Sequence, residues 1–216
     1  MIVEAYGIKL KRLTLSDIEL VRQHRNSDAI RNTMEYREII TPEMQMKWFL
    51  SIDNECNNFM LILVDNQAIG LISGTNIDWQ KGITNNGGIF IWQPEFIESV
   101  YPVKAALLLT DIGFYLGMKR NYIKILRSNT KSIAFNTALG YQVCEGQQEN
   151  NNRQYELTAE RYFLASQKYR QMARATGLIK IVFDNPSHVS SKNIIERIQK
   201  LSPDVASKFQ ISISKL

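Results

Sequence analysis

The stretch IWQPEFIESVYPVKAALLLTDIGFYLG, Ile91 to Gly117, leaves the end of an apolar strand, crosses a turn and enters an amphipathic helix. A strand feeding a helix in this way excludes all-helical and all-strand folds. It is also where nucleotide-binding folds place phosphate, with glycines that let the backbone close on the anion. No glycine stands between Trp92 and Leu109, and residues 97–102 read Ile-Glu-Ser-Val-Tyr-Pro. The turn shows where a ligand would sit and leaves open whether one is still held.

Around that unit, strands and helices alternate. Residues 9–13 form a first strand, and Thr14-Leu15-Ser16-Asp17 is a capping box opening a helix to about Gln23. A helical piece over 29–34 follows, then a helix begun by Thr41-Pro42-Glu43, with its proline in the first turn. Residues 58–64 and 68–75 read as a hairpin about 65–67, and after a loop with Trp79 and Gly82 a strand covers 88–92. The helix over 102–116 is followed by a strand at 122–127, a helix at 131–139 closed by Gly140, and strands at 141–144 and 154–157. A long helix over 159–175 leads to a small βαβ add-on: a strand at 178–183, a helical stretch over 192–209 broken near Pro203, and a Ser/Ile alternation.

The 216 residues, 44% hydrophobic, suffice for a sizeable core in one domain over 1–158, with a C-terminal helix and basic extension over 159–216. The longest apolar runs, 59–64 and 89–92, fall short of the roughly 18 residues of a spanning helix, so no membrane segment is expected. Met1-Ile2-Val3-Glu4 lacks the order of a secretory signal, and Cys56 and Cys144 are isolated, as expected of packing thiols in the cytoplasm. Ser214-Lys215-Leu216 has the form of a peroxisomal address and also closes an alternating strand. The net charge of +5 is uneven: from Arg161 onward ten Lys and Arg stand against three Asp and Glu. Aromatics do not interleave that basic stretch, so it reads as a solvated helix face rather than a nucleic-acid platform. His24 and His188 are solitary, and no metal is expected.

A second segment, KILRSNTKSIAFNTALGYQVCEG, Lys124 to Gly146, contains Asn129-x-x-Ser132 followed by Leu139-Gly140-Tyr141. With Arg25-Asn26-Ser27-Asp28, residues 41–49 and Pro94-Glu95-Phe96, it makes the chain from about Lys9 to Leu157 resemble the GCN5-related N-acetyltransferase (GNAT) superfamily. The similarity is greatest to the branch that acetylates ribosomal-protein N-termini and to its amino-sugar-nucleotide relatives. The resemblance implies an α+β fold: a mixed central sheet flanked by helices, with two parallel strands, ending near Trp92 and Arg127, that splay apart. It implies acetyl-CoA as co-substrate and direct transfer of acetyl to a primary amine, on a peptide N-terminus, an amino-sugar nucleotide or a small amine. The partners it implies are that acceptor and, as an option, a second copy of the chain.

By the same resemblance, Ile91 and Trp92 border the pantetheine arm, and the amides of Glu98, Ser99, Val100 and Tyr101 receive the pyrophosphate; Lys104, on the first turn of the helix, is placed to supply the charge that the loop lacks. Asn129, Ser132 and Asn136 fall beside the arm and the sulfur. The sequence departs from the family in two places. The usual Arg/Gln-x-x-Gly-x-Gly/Ala loop has neither its basic residue nor its glycines, while Glu98 adds a negative charge. The tyrosine acid of many relatives is Asn136 here, and in the branch that this chain resembles the residue at Ser132 takes that role; Asn129 and Ser132 fit ordinary helix-start duty equally well. Glu35 is the candidate base, with Glu38 and Asp78 behind it, and Arg31 and Arg37 favour an anionic acceptor. Trp48 and Phe49 read as core, and Tyr36 fits either role. The alternative is a non-catalytic GNAT-like binding protein whose degenerate loop no longer holds CoA.

Overall fold

A computed structural model describes residues 1–214, so the Ser214-Lys215-Leu216 address lies partly outside the described residues. The chain starts with a hairpin that the sequence reading missed. Ile2–Ala5 (β1) and Ile8–Arg12 (β2) pair antiparallel through Tyr6 and Gly7, at φ 58° and 75°. Two left-handed residues give the turn that matches strand twist, and a tyrosine in the first of them conceals the signal. The Asp17 carboxylate accepts from the Thr14 N–H at 3.0 Å, and one 3-10 turn leads into α1, Ile18–Asn26. The next helix, α2 (Asp28–Arg31), is shorter than expected, with Thr33 Oγ1 donating to Ile30 O beyond its end. In α3 (Pro42–Ile52) the Thr41 hydroxyl accepts from the Met44 N–H.

Asn58–Val64 (β3) and Gln67–Asp78 (β4) form the second hairpin, and Ile83–Ile91 (β5) returns along β4. Then come α4 (Pro94–Ile97), α5 (Tyr101–Tyr115), β6 (Arg120–Leu126), α6 (Thr130–Ala138), β7 (Gln142–Val143) and β8 (Asn152–Thr158). The expected long helix is instead two, α7 (Ala159–Ala165) and α8 (Gln167–Met172). They meet at fully buried Ser166, whose Oγ accepts from Arg170 Nε at 3.1 Å.

Ile179–Phe183 (β9), Val189–Gln199 (α9), Pro203–Ala206 (α10) and Phe209–Ile213 (β10) complete the chain. β10 lies parallel to β9, the expected βαβ arrangement, and β9 pairs antiparallel with β1. Among the described residues there is one ten-stranded sheet, ordered β10-β9-β1-β2-β3-β4-β5-β6-β8-β7. On one face α5 packs into the larger apolar cluster, with Leu10, Ile62, Leu107 and Ile181; on the other, α1 and α3 bring Val21 and Phe49 onto Leu71 and Trp92.

One charge is fully buried in this core. Asp111, on α5, accepts from Tyr6 Oη at 2.6 Å, Tyr162 Oη at 2.8 Å and Arg170 Nη1 at 2.9 Å, and Arg170 Nη2 completes the ion pair. The network ties the first hairpin, α5, α7 and α8 together. A buried charge is tolerated when it is paired and its lone pairs are filled, as they are here.

Candidate active site

β5 and β6 are parallel neighbours that pair only at their beginnings, Ile83 with Arg120 and Thr84 with Asn121. Beyond those pairs β5 runs on to Ile91, held on its outer side by β4, and β6 to Leu126, held by β8. Their inner edges diverge, leaving backbone N–H and C=O groups along a V-shaped gap. The divergence begins beside a kink: Asn76 takes a left-handed φ of 52°, and Asn85 Nδ2 donates to its carbonyl at 2.7 Å. A cavity of about 570 Å³ includes the gap, where Gly88 and Phe90 of β5 and Tyr122 and Lys124 of β6 wall it, and runs on to Val3, Leu10 and Ile194. That volume suits a small-molecule site.

Four residues expected from sequence reach this cavity together: Glu35, Asn129, Ser132 and Asn136. Asn129 caps α6, its Oδ1 accepting from the Ser132 N–H at 3.1 Å. Asn136 Nδ2 donates to Ser132 O at 2.8 Å and lies 3.3 Å from Ser132 Oγ. The half-buried Ser132 hydroxyl is thereby held at the cavity wall. Glu35 sits at the mouth, where its carboxylate accepts from Asn152 Nδ2 at 3.0 Å and joins the loop after α2 to β8. The Leu139-Gly140-Tyr141 motif anchors the end of α6. Leu139 and Tyr141 are buried, and Gly140, at φ 102°, lies where a Cβ would come within 2.9 Å of Arg161 O.

No family model matches the sequence, and no curated protein matches it. Solved structures do. FdhC, described as a nucleotide-linked sugar GNAT, superposes with a TM-score of 0.66 at 19% identity, covering 82% of this chain and 99% of its own. Mycobacterium smegmatis RimJ in complex with CoA-disulfide gives 0.63 at 12% identity, over 81% and 94% of the two chains. Spermidine N-acetyltransferase from Vibrio cholerae, with CoA and spermine, gives 0.60 at 16%, over 73% and 98%. The chain has the GNAT fold.

In this GNAT fold the glycine-free turn is largely closed on itself. Ser99 N–H donates to Phe96 O at 3.2 Å, and Tyr101 N–H donates to Ser99 Oγ at 3.2 Å. The Glu98 amide also turns to Phe96 O. Among the described residues the N–H groups of Val100 and Val103 have no protein acceptor, so these two remain for an anion at the start of α5. Lys104 lies over the Tyr101 ring, 5.3 Å from its centroid, and next to Gly7. Lys131, which sequence reasoning passed over, reaches from the first turn of α6 to Glu98 Oε1 at 3.4 Å, so the pair spans the top of the gap.

The side chains of Ile91 and Trp92 point away from the gap into the two cores, and the Trp92 N–H is donated to Ile69 O at 2.9 Å. Trp92 Nε1 donates to Ala68 O at 2.8 Å, and its ring stacks on His24 at 4.5 Å, where burial lowers the imidazole pKa. His188 caps α9 and meets Asp53. Asp78 holds the β4–β5 turn by accepting from the Gln80 and Lys81 amides. Glu38 and Tyr36 are exposed. Of the two acceptor-side arginines expected, Arg31 is paired with Asp28, and Arg37 Nε donates to Met34 O. The arginine lining the cavity is Arg25. Its signal was present in the sequence as a helical spacing from Ile18 and Val21 on the core-facing side of α1.

Proposed function

We propose that this chain is an N-acetyltransferase that moves acetyl from acetyl-CoA directly to a primary amine. The observation that carries the reading is the V-shaped gap. Its two unpaired strand edges suit an extended arm bearing amides, which pairs as an added strand would. The amine nitrogen bonds to the acetyl carbon as the carbon–sulfur bond breaks; Ser132 Oγ gives its proton to the departing sulfur, and Glu35 takes the proton that the amine loses. No thiol intervenes, since Cys56 and Cys144 lie outside the cavity lining and burial raises both thiols. The Val100 and Val103 amides and the dipole of α5 support the pyrophosphate, and the setting is cytoplasmic.

A thermal-shift titration with acetyl-CoA tests the reading. At a hundred times its Kd, a ligand bound only by the folded state adds about 2.7 kcal/mol of stability. No shift at millimolar acetyl-CoA would count against transfer and for the second reading, a non-catalytic binding protein. That second reading has its own support in the amides of Ser99 and Tyr101, which are already occupied.

If phosphates do sit at the start of α5, the Glu98 carboxylate opposes them and holds Lys131 aside. Glu98→Gln is then expected to tighten CoA binding by a few-fold at low salt, as a charge at an exposed helix start is worth roughly 0.3–1 kcal/mol. The gain should shrink as salt screens it. Isothermal titration at two ionic strengths reads this out, and unchanged affinity would move the phosphates elsewhere.

A further inference from the structure

Arg25 breaks the pattern of the helix that carries it. Ile18 and Val21 turn the buried face of α1 to the sheet, and Arg25, seven residues past one and four past the other, is the next position on that face. An apolar side chain there would extend the Leu71–Trp92 cluster; instead a half-buried guanidinium lines the cavity. Among the described residues it has no hydrogen-bond or ion-pair partner, and burial alone pushes its pKa down.

Two arginines near it in the chain are, by contrast, paired. Arg12, more deeply buried, meets Asp53, Asn58 Oδ1 and the Asn54 and Asn57 carbonyls. Arg22 meets Glu19 and Ile40 O. The dipole of α1 favours a cation in its last turn but would accept one facing solvent equally well. Glu35, on the same cavity, is engaged by Asn152, and Lys124 adds a second positive charge from β6. A planar fork of donors held without an acceptor in a ligand-sized cavity is matched by a carboxylate or a phosphate.

We propose that the acceptor amine carries an anionic group, carboxylate or phosphate, and that Arg25 binds it. This rests on the acetyl-transfer reading of the same cleft. The test compares glucosamine 6-phosphate with glucosamine, and β-alanine with β-alaninamide, as acceptors for the wild-type chain, Arg25→Gln and Arg25→Lys. The wild type is expected to prefer the anionic member of at least one pair by about 10- to 100-fold in kcat/KM, the worth of a charge-assisted hydrogen bond. The pair that responds tells phosphate from carboxylate. Arg25→Gln should bring that ratio close to one, and Arg25→Lys should keep part of it. Thermal unfolding of Arg25→Gln at or above the wild-type midpoint would show that the fold does not need the charge.

Titration of the preferred anionic amine into the chain without acetyl-CoA separates the two ideas. Anion binding lost in Arg25→Gln, with no acetyl-CoA binding by the wild type, would retain the anion site and remove acetyl transfer. Acetyl-CoA turnover with no anionic preference, or a preference that survives Arg25→Gln, would overturn the assignment to Arg25 and leave acetyl transfer standing. Absence of both binding events would overturn both.

Discussion

Asp111→Ala is expected to lower the stability of the chain by about 3–5 kcal/mol, the cost of leaving a largely buried charge without its partner. Arg170 would lose the carboxylate that it meets through both terminal nitrogens, and the Tyr6 and Tyr162 hydroxyls would lose their acceptor. For a domain of this size the melting midpoint should fall by roughly 6–20 °C. Removing both charges in Asp111→Ala/Arg170→Ala should cost less than the two single changes together, because neither is then stranded. Two single variants that each melt within a degree of the wild type would sink the claim.

The same network predicts an alkaline limit. Burial, with the Asp111 charge behind it, raises the hydroxyl pKa of both Tyr6 and Tyr162 in the folded chain. A raised folded pKa gives stability that is complete below the unfolded value, about 10, and is lost as pH climbs beyond it. Melting midpoints should therefore hold up to about pH 10 and fall progressively above it, less steeply in Tyr6→Phe.

Ser132→Ala is expected to reduce kcat by about 100-fold while leaving acetyl-CoA binding nearly unchanged, if the hydroxyl protonates the departing sulfur. The variant suits the test because α6 keeps its cap: Asn129 Oδ1 accepts from the backbone N–H of residue 132, which alanine also has. What is lost is a hydroxyl 3.3 Å from Asn136 Nδ2. A stopped assay at saturating acetyl-CoA, with a thermal shift as the binding control, separates chemistry from affinity. A kcat within threefold of the wild type would return Ser132 to an ordinary helix-start role.

Most of the architecture was legible because its signals are local. The apolar run of β3 occupies the expected 58–64, and Asp65-Asn66 take the left-handed angles of a tight hairpin. The first hairpin escaped because its turn places a tyrosine at positive φ. The interruption at Ser166 escaped because a serine within a helical pattern gives no breaker signal, and its role depends on Arg170 meeting Asp111 across the fold.

At the site, Asn129, Ser132 and Asn136 were singled out by the resemblance to a family motif, and all three line one cavity with Glu35. The turn at 97–102 was read for the glycines it lacks. Its internal bond from Tyr101 N–H to Ser99 Oγ is a matter of side-chain orientation that sequence does not encode locally. Arg25 was noticed only as part of a motif; that it has no partner stands out beside Arg12, Arg22, Arg31 and Arg37, each of which has one.

The place of β1 in the sheet bears on the order in which the protein assembles. β1 lies between β2, its immediate successor, and β9, which arrives about 175 residues later. Until Ile179–Phe183 has been synthesised, one edge of the first strand, with Val3 beneath it, has nothing to pair with. Closing so long a loop is slow, and an open strand edge invites pairing with other nascent chains. The rest of the sheet, built from neighbours in sequence, can form early during translation, whereas the amino-terminal end matures last. Refolding from denaturant should accordingly show a late phase in which the β1–β9 pairing is completed, and a chaperone that covers the first strand would matter most in that interval.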